Sequence, residues 1–369
     1  MIYPKLITNI ETIPYLTEEE KKKLKEITKV YPFRANEYYL SLIDWNDKND
    51  PIRKLIIPDV DEVSEKWGDL DPSSEAVYTV LEGVEHKYSS VALFLLSNIC
   101  YGICRYCFRK RLFKTNKKDF LKEKNYNDAI NYVKEHKEIN NILLTGGDPL
   151  VIHTEKLEYL ISKLFEIPHV QIIRIGTRMP QFYPFRIIED KKLLNLIKKY
   201  SSYEKRIYVL NHFVHIKEIT PQAIKCIGML IDSGAILCNQ TPLIRGISDN
   251  VNSLRELFNK LSYIGCPPYY VFQCRPAVGN KIYAVPIEEG YIIFEKAKDK
   301  CSGLAKRAKY AMSHKDGKLE ILALLEKEII FKFHRAAKDE NVGKIIVCKR
   351  NKDAYWFDDY EIIKEYPLN

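Results

Sequence analysis

Three cysteines lie within eight residues, at Cys100, Cys104 and Cys107 in the stretch SNICYGICRYCFRKR. A structural zinc site usually needs four ligands in two separated pairs, and the other six cysteines of the chain are scattered singly. A redox-active pair of Cys104 and Cys107 would leave Cys100 without a role. Three thiolates on one loop instead suit a 4Fe–4S cluster, because cysteine thiolates bind such clusters. With only three of them, the fourth iron would stay open for another ligand.

Six short runs rich in apolar and β-branched residues alternate with amphipathic helical segments along the chain. The runs occupy 90–97, 140–147, 171–177, 206–212, 235–246 and 267–274, and the helical segments lie around 127–137, 155–165, 190–200, 218–233, 250–264 and 287–300. Continuous apolar strands of this kind are typical of parallel sheets that are buried on both faces. The alternation predicts an α/β fold, a partial (β/α)6 barrel that is open on one side.

The chain is predicted to have three parts. Residues 1–88 form an N-terminal helical and irregular region, residues 89–302 form the barrel, and residues 303–369 form a mostly β C-terminal extension packed on it. At the ends of barrel strands 2 to 6 the sequence places the polar motifs TGGDPL, GTR, NHFVH, NQTP and QCRP. Active sites of such barrels lie at the carboxyl ends of the strands, so these motifs predict one site at one mouth.

The excess of positive charge is diffuse. The net charge of +9 comes from runs of mixed sign, such as EEEKKKLKE at 18–26, which indicate solvated helix faces rather than a nucleic-acid-binding surface. The stretch MIYPKLITNIETIPYL lacks the features of a signal peptide, and no apolar run approaches the roughly 18 residues that span a membrane. We therefore expect a cytoplasmic protein with a small-molecule substrate and without a nucleic-acid or membrane partner.

The cysteine spacing, with Tyr106 before the last cysteine, and the motif TGGDPL resemble the radical S-adenosylmethionine enzymes. From about residue 80 to 320 the chain resembles the lysine 2,3-aminomutase family, in the stretches HKYSSVALFLLSNIC, CRYCFRKR, ILLTGGDPL, IIRIGTRMPQFYPFRI, NHFVHIKEIT, NQTPLIRGISDN and PPYYVFQC. The resemblance implies a radical isomerase: a 5′-deoxyadenosyl radical takes hydrogen from C3 of an amino acid held by pyridoxal phosphate, and the amino group moves from C2 to C3. It also implies an external one-electron reductant and a homo-oligomer.

The resemblance further implies which residues bind the cluster and S-adenosylmethionine. The three cysteines match the cluster ligands, and five residues fall where family members surround S-adenosylmethionine: Gly146, Gly147, Asp148, His212 and Gln240. A side chain on either glycine would obstruct the methionine amino group, although a simple turn would also account for both. A core histidine at His212 and a hydrogen bonder of the barrel rim at Gln240 are the structural alternatives.

Pyridoxal phosphate is implied by residues near both ends of the barrel. Lys318 matches the lysine that holds this cofactor covalently, although only Gly317 remains of the glycine-rich run that precedes it in the family. An exposed lysine in a turn is the alternative. Lys87 and Tyr88 match an Arg-Tyr pair near the cofactor phosphate, and Val91 replaces a second arginine there, which weakens the expected phosphate site.

Three positions bear on the substrate. Arg109 matches the arginine whose guanidinium fork holds the substrate α-carboxylate, with one more surface charge as the alternative. Lysine-specific members hold the distal ammonium with two aspartates, which are Arg275 and Ala311 in this chain. A like charge at close range costs on the order of several kcal/mol, so lysine is disfavoured and an anionic amino acid such as glutamate is expected. A structural ion pair of Arg275 is the alternative.

Two other functions stay open on the sequence alone. One is a radical S-adenosylmethionine enzyme of the same scaffold with different hydrogen-abstraction chemistry and no amino migration. The other is a non-catalytic iron–sulfur or redox-sensing protein. The zinc-binding cysteines of some lysine enzymes have no counterpart here, since the C-terminal part contains only Cys348, so no zinc is expected.

Overall fold

A computed structural model describes residues 3–64, 67–113 and 120–368, and they form an α/β fold, as predicted. Its strands are β1 (Leu6–Ile7), β2 (Ala35–Asn36), β3 (Thr79–Leu81), β4 (Val84–Tyr88), β5 (Val91–Leu95), β6 (Asn141–Thr145), β7 (Ile172–Thr177), β8 (Arg206–Asn211), β9 (Ile236–Leu243), β10 (Pro268–Gln273), β11 (Lys309–His314), β12 (Gly317–Leu324), β13 (Glu328–Ala336), β14 (Ile345–Lys349) and β15 (Ile362–Tyr366). Its α-helices are α1 (Glu18–Val30), α2 (Glu37–Leu40), α3 (Pro51–Ile56), α4 (Glu75–Tyr78), α5 (Tyr126–Glu135), α6 (Thr154–Phe165), α7 (Met179–Phe182), α8 (Phe185–Ile188), α9 (Lys191–Tyr200), α10 (Pro221–Asp232), α11 (Val251–Tyr263) and α12 (Ile287–Asp299).

Strands β3 to β15 form one sheet in which each strand pairs with its neighbours in sequence order. The six predicted barrel strands are β5 to β10, and the pairings between them are all parallel. The six predicted helices correspond to α5, α6, α9, α10, α11 and α12, each of which returns the chain to the next strand. Six successive βα units therefore place the carboxyl ends of β5 to β10 on one side of the molecule.

The parallel strands have two kinds of side chain in alternation. In β7, Ile173 and Ile175 are buried in the main apolar core, whereas Arg174 and Gly176 line a central cavity. Because successive side chains of a strand point to opposite faces, one short sequence supplies both the core and the interior of the barrel.

Side-chain caps fix where the helices begin after the strands end. At the start of α9, Asp190 accepts a hydrogen bond from the backbone N of Leu193 at 3.1 Å, and at the start of α10, Thr220 accepts one from Ala223 at 3.1 Å. Such caps satisfy backbone N–H groups that have no partner within the helix. Within the described ranges, no helix has the length and apolar character that crossing a bilayer requires.

The sheet extends beyond the predicted barrel at both edges. Strands β3 and β4 lie in the region predicted to be helical and irregular, and they add to β5 in antiparallel order. Strand β11 pairs parallel to β10, and β12 to β15 continue antiparallel. The C-terminal strands therefore continue the barrel sheet through backbone hydrogen bonds and do not form a layer packed against it.

Side chains connect the two flanks of the barrel, where no strand pairing among the described residues closes the sheet. Lys87 on β4 donates from Nζ to the carbonyl oxygen of His314 at 2.8 Å. Arg335 on β13 donates from Nη2 to Oγ of Ser90 at 3.1 Å. The sheet is thus a partial barrel whose open side is crossed by contacts of the C-terminal strands.

Candidate active site

A cavity of about 270 Å³ lies inside the barrel and reaches the carboxyl ends of its strands. It is lined by seven residues that were predicted for the site, namely Lys87, Tyr88, Arg109, His212, Gln240, Arg275 and Lys318. The structure therefore brings the predicted substrate and pyridoxal phosphate residues together with two of those predicted for S-adenosylmethionine. The cysteines and the residues of the GGD motif lie in the adjoining loops after β5 and β6.

The N-terminal region holds the loop that carries the three cysteines. The backbone N of Ile103 donates to the carbonyl of Arg34, and that of Arg105 to the carbonyl of Leu55, both at 2.9 Å. The buried Arg105 guanidinium also forms a bidentate pair with Glu62, with N–O distances of 2.7 and 2.8 Å. A buried charge needs such a partner, so this pair fixes the loop against the N-terminal region.

The cysteine loop fits a cluster of several irons. The side chains of Cys100, Cys104 and Cys107 are half-buried free thiols on one loop, and none of them forms a disulfide. Burial raises the pKa of all three thiols, and iron binding would displace their protons. Arg178 donates from Nη1 to Sγ of Cys104 at 3.2 Å, which favours the thiolate.

The two glycines of the GGD motif allow the cysteine loop to approach closely. A Cβ on Gly147 would lie 2.4 Å from the carbonyl oxygen of Ile99, and one on Gly146 would lie 2.5 Å from that of Ser97. The backbone N of Gly147 also donates to the carbonyl of Ser97. Contact with the cysteine loop thus requires both glycines, in addition to any contact with S-adenosylmethionine.

Substitution of Gly147 by alanine should destabilise the cysteine loop. The added methyl group meets backbone and cannot be accommodated by a side-chain rotation, so we expect a loss of about 1–3 kcal/mol in the free energy of unfolding and a lower iron content after reconstitution. Gly228→Ala is the matched control, because nothing lies within 4 Å of a Cβ at that position of α10. Chemical denaturation and iron analysis measure both effects, and equal stability and iron content in the two variants would contradict this assignment.

Asp148 joins the ends of β6 and β7. Its buried carboxylate accepts hydrogen bonds from Oγ1 of Thr177 at 2.8 Å and from the backbone N of Arg178 and of Leu150 at 2.8 and 3.0 Å. Burial raises the pKa of Asp148, and these donors oppose the shift. Its contacts are those of a structural residue, and its role toward S-adenosylmethionine stays a prediction.

Arg109 extends from the cysteine loop to the cavity. Its Nε donates to Oε1 of Glu75 at 2.8 Å, and its guanidinium carbon lies 4.9 Å from the centroid of the Phe108 ring. The side chain is only 11% exposed, so the alternative of a surface charge is wrong. Glu75 lies on α4 in the region predicted to be irregular, and no motif marked it as a site residue.

Arg275 stands at the same end of the cavity. Its guanidinium carbon lies 3.8 Å from the centroid of the Phe108 ring, and Nη1 donates to Oγ of Ser73. Burial lowers the pKa of Arg275 to about 10, against the opposing effect of Glu75, so the group stays cationic at neutral pH. The other substrate position, Ala311, is fully buried within β11 and is not one of the residues that line the cavity.

His212 and Gln240 face the cavity from the ends of neighbouring strands. Burial, with the nearby Arg178 guanidinium, lowers the pKa of His212 to about 3, so the imidazole is neutral at physiological pH. Gln240 lies in β9 and adds a neutral amide to the cavity wall. Both side chains can therefore serve as neutral hydrogen-bonding groups toward a ligand.

Lys318 lies in the second position of β12 and lines the cavity, so the alternative of an exposed lysine in a turn is wrong. Its Nζ lies 4.5 Å from the centroid of the Tyr270 ring and 5.3 Å from that of Phe272. Burial, together with the Arg174 and Arg335 guanidiniums, lowers the pKa of Lys318 to about 7. A lysine with such a pKa is largely a neutral, nucleophilic amine slightly above neutral pH.

The reactivity of Lys318 should rise as the pH passes through about 7. Its pKa in the folded protein is lowered from 10.5, so the amine is protonated and unreactive below that value and neutral above it. Labelling by acetic anhydride, followed by peptide mass spectrometry, should give a midpoint near pH 7. Lys163 is the internal reference, since its hydrogen bond to Glu166 raises its pKa. A common midpoint for both lysines would contradict the assignment.

Three further cations stand close to Lys318. Lys87 was predicted, and burial lowers its pKa to about 8. Arg174 and Arg335 were not predicted, although Arg174 stands at an interior position of the strand IIRIGT, where the alternation of apolar residues marks it. Arg335 lies in β13, where no sequence motif points to it, and its guanidinium carbon lies 4.1 Å from the centroid of the Tyr88 ring. Together, Lys87, Arg174 and Arg335 supply positive charge to a site where Val91 replaces the second arginine that the resemblance implies.

Known proteins resemble the chain over nearly its whole length. Residues 94–250 match the radical SAM superfamily, which implies a 4Fe–4S cluster and S-adenosylmethionine. The chain is 46% identical over 364 residues to a protein of Aquifex aeolicus named "Putative L-lysine 2,3-aminomutase", covering 98% of this chain and 96% of the relative. It is 38% identical over 289 residues to the L-lysine 2,3-aminomutase of Clostridium subterminale, covering 78% and 68%. It is 34% identical over 303 residues to the glutamate 2,3-aminomutase of Clostridioides difficile, covering 81% and 70%. The barrel, the cysteine loop and these similarities together show that the chain belongs to the lysine 2,3-aminomutase family of radical S-adenosylmethionine enzymes.

Proposed function

We propose that the protein is a pyridoxal phosphate-dependent 2,3-aminomutase that moves the α-amino group of glutamate, or of another acidic amino acid, to the β-carbon. The observation that carries the proposal is the cavity-lining amine of Lys318, which shares one cavity with Arg109 and Arg275 next to the cysteine loop. When bound, the cluster, S-adenosylmethionine and pyridoxal phosphate would supply the radical and amino-migration chemistry.

Each residue at the cavity has a distinct part in this proposal. The three cysteines would hold the cluster, which would be reduced by an external one-electron reductant. His212 and Gln240 would hydrogen-bond to S-adenosylmethionine. Arg109 would bind the substrate α-carboxylate with the donors of its guanidinium that the Nε–Glu75 bond does not occupy. Lys318 would hold pyridoxal phosphate through its neutral amine. The position of the cavity inside the barrel would limit the access of water to the reacting carbon atoms.

The charges of the cavity support an acidic substrate. Besides the amine of Lys318, five basic side chains line it, Lys87, Arg109, Arg174, Arg275 and Arg335, against two carboxylates, Glu75 and Glu85. An anionic amino acid would reduce this excess of positive charge, whereas the ammonium of lysine would add to it. The substrate assignment rests on Arg275, since relatives named for lysine and for glutamate both resemble the chain.

A substrate screen tests the proposal. The protein is reconstituted with iron and sulfide, supplied with S-adenosylmethionine, pyridoxal phosphate and a strong reductant, and offered glutamate, aspartate, lysine and arginine. Mass spectrometry should detect 3-aminoglutarate from glutamate. Cleavage of S-adenosylmethionine without rearrangement of any amino acid would favour a different hydrogen-abstraction chemistry, and absence of cleavage would favour a redox-sensing protein.

A further inference from the structure

The two arginines beside Lys318 differ from three other interior arginines in their partners. Arg105, Arg109 and Arg178 each form an ion pair with a glutamate. Arg174 and Arg335 are half-buried, and within residues 3–64, 67–113 and 120–368 they have hydrogen bonds only to neutral side chains. A charge that is partly withdrawn from water gains from a partner of opposite charge, so these two guanidiniums are suited to bind an anion.

The geometry leaves donors available at both guanidiniums. Arg174 uses Nε to bind Oδ1 of Asn141 at 2.7 Å, and its Nη2 is buried without a hydrogen-bond partner. Arg335 uses Nη2 to bind Oγ of Ser90 at 3.1 Å and lies over the ring of Tyr88. Both side chains line the cavity. Asn141 and Ser90 thus orient the two guanidiniums without neutralising them.

The sheet fixes one of these arginines relative to Lys318. In the antiparallel pair of β12 and β13, Lys318 and Arg335 lie directly opposite each other. At Gly317, where φ is +150°, a Cβ would lie 2.2 Å from the carbonyl oxygen of Arg335, so the two strands approach closely at this point. Burial and the neighbouring Arg335 charge lower the pKa of Arg174 to about 10. The positive charges of Arg174 and Arg335 repel each other, and a bound anion would relieve this repulsion.

We propose that Arg174 and Arg335 form the binding site of a phosphate dianion beside Lys318. Resting on the proposed function, this phosphate is that of pyridoxal phosphate. Guanidiniums present paired donors that match phosphate oxygens, and Lys87 adds a third cation to the same wall. A neutral amine next to a phosphate site suits a phosphorylated aldehyde, because the amine would condense with the carbonyl carbon with loss of one water molecule while the arginines hold the phosphate.

The second source of an anion is the distal carboxylate of the substrate. The proposed function assigns that group to Arg275, which stands beside Arg109, the residue proposed for the α-carboxylate, and the Arg109 charge helps to lower the pKa of Arg275. The guanidiniums of Arg109 and Arg275 both lie over the Phe108 ring, whereas that of Arg335 lies over the Tyr88 ring. An experiment must therefore show which anion binds at which of these two sets.

Titrations with pyridoxal phosphate and with pyridoxal, which lacks the phosphate, separate these possibilities. The cluster-reconstituted full chain is titrated with each aldehyde, and the visible absorbance of the lysine adduct reports binding. In Arg335→Gln the affinity for pyridoxal phosphate should fall by about tenfold or more, the loss expected for a hydrogen bond between charged groups. Because Arg335 also lowers the pKa of Lys318, both proteins are titrated well above neutral pH, where the amine is neutral in each. The affinity for pyridoxal, which lacks the phosphate, should then stay within about twofold.

Arg174→Gln is the second variant, in case Arg335→Gln fails to fold, and Arg335→Lys should retain part of the affinity because the charge remains without the fork. Arg255→Gln is the matched control, since that arginine binds Asn252 and the carbonyl of Lys296 on the surface. Thermal unfolding and iron content are measured for each variant.

The outcomes separate failure of this inference from failure of the proposed function. If the unsubstituted protein forms no lysine adduct, the proposed function is wrong. If it does, and both glutamine variants bind pyridoxal phosphate as tightly as the Arg255 control, the phosphate assignment is wrong. An unchanged affinity with a raised KM for glutamate would overturn the assignment in favour of the substrate carboxylate.

Discussion

Replacement of Lys318 by alanine should abolish amino migration while the iron–sulfur cluster stays intact. The amine of Lys318 lines the cavity, and its pKa is lowered to about 7. Alanine removes this amine, which is the group that would bond to pyridoxal phosphate. Loss of a covalent nucleophile lowers the turnover number on the order of a thousandfold or more. We expect no product from glutamate, no visible lysine adduct with pyridoxal phosphate, and an unchanged iron content.

Lys315→Ala is the matched control for this experiment. Lys315 precedes Lys318 by three residues and is largely exposed, with its amine 3.9 Å from Asp358. Its substitution should leave product formation and the lysine adduct as they are. If Lys318→Ala retained the visible adduct, or if neither the unsubstituted protein nor the variant formed it, the role of Lys318 would be refuted.

Arg275 should make the enzyme prefer glutamate over lysine by a large factor. At about 4 Å and an effective dielectric constant of about 20, a pair of like charges costs roughly 4 kcal/mol, which is about a thousandfold in kcat/KM. Arg275→Gln should lower kcat/KM for glutamate by about a hundredfold or more, because a buried charge-assisted contact to the distal carboxylate is lost. Steady-state assays with both amino acids measure the selectivity.

Two observations could contradict this assignment of Arg275. The first is turnover of lysine by the unsubstituted protein with glutamate inert. The second is equal loss of activity on every substrate in Arg275→Gln, which would indicate that the arginine only holds Ser73 and Phe108 in place. Arg275→Lys is the informative control, since it keeps the charge and should keep the preference for glutamate at a reduced rate.

The barrel was predictable because its signals are local. The run 171–177 became β7 at Ile172–Thr177, and the segment 250–264 became α11 at Val251–Tyr263. Each of these elements carries its own apolar period, and caps such as Asn250 are encoded beside the helix that they begin. The cysteine loop stands out in the sequence for a similar reason, since its three candidate cluster ligands lie within eight residues.

The partners of the site residues were not predictable in the same way. Glu75 meets Arg109 from 34 residues away, and Arg335 reaches Ser90 across 245 residues. Which residues face each other in such contacts depends on the register and curvature of the whole sheet, which no local pattern encodes. Only Arg174 had a detectable signal, because a charged residue in the middle of an apolar strand must point into the interior.

The contacts that cross the open side of the barrel join parts of the chain that are synthesised far apart. Lys87 and its partner His314 are 227 residues apart in the sequence, and Ser90 and its partner Arg335 are 245 residues apart. Closing a loop of that length costs about 5 kcal/mol in chain entropy, so these contacts should form late in folding. The cysteine loop and the first βα units leave the ribosome well before them. Assembly would then follow the order of the chain: iron and sulfide can enter an unfinished barrel, whereas the site around Lys318 exists only once the C-terminal strands have joined the sheet.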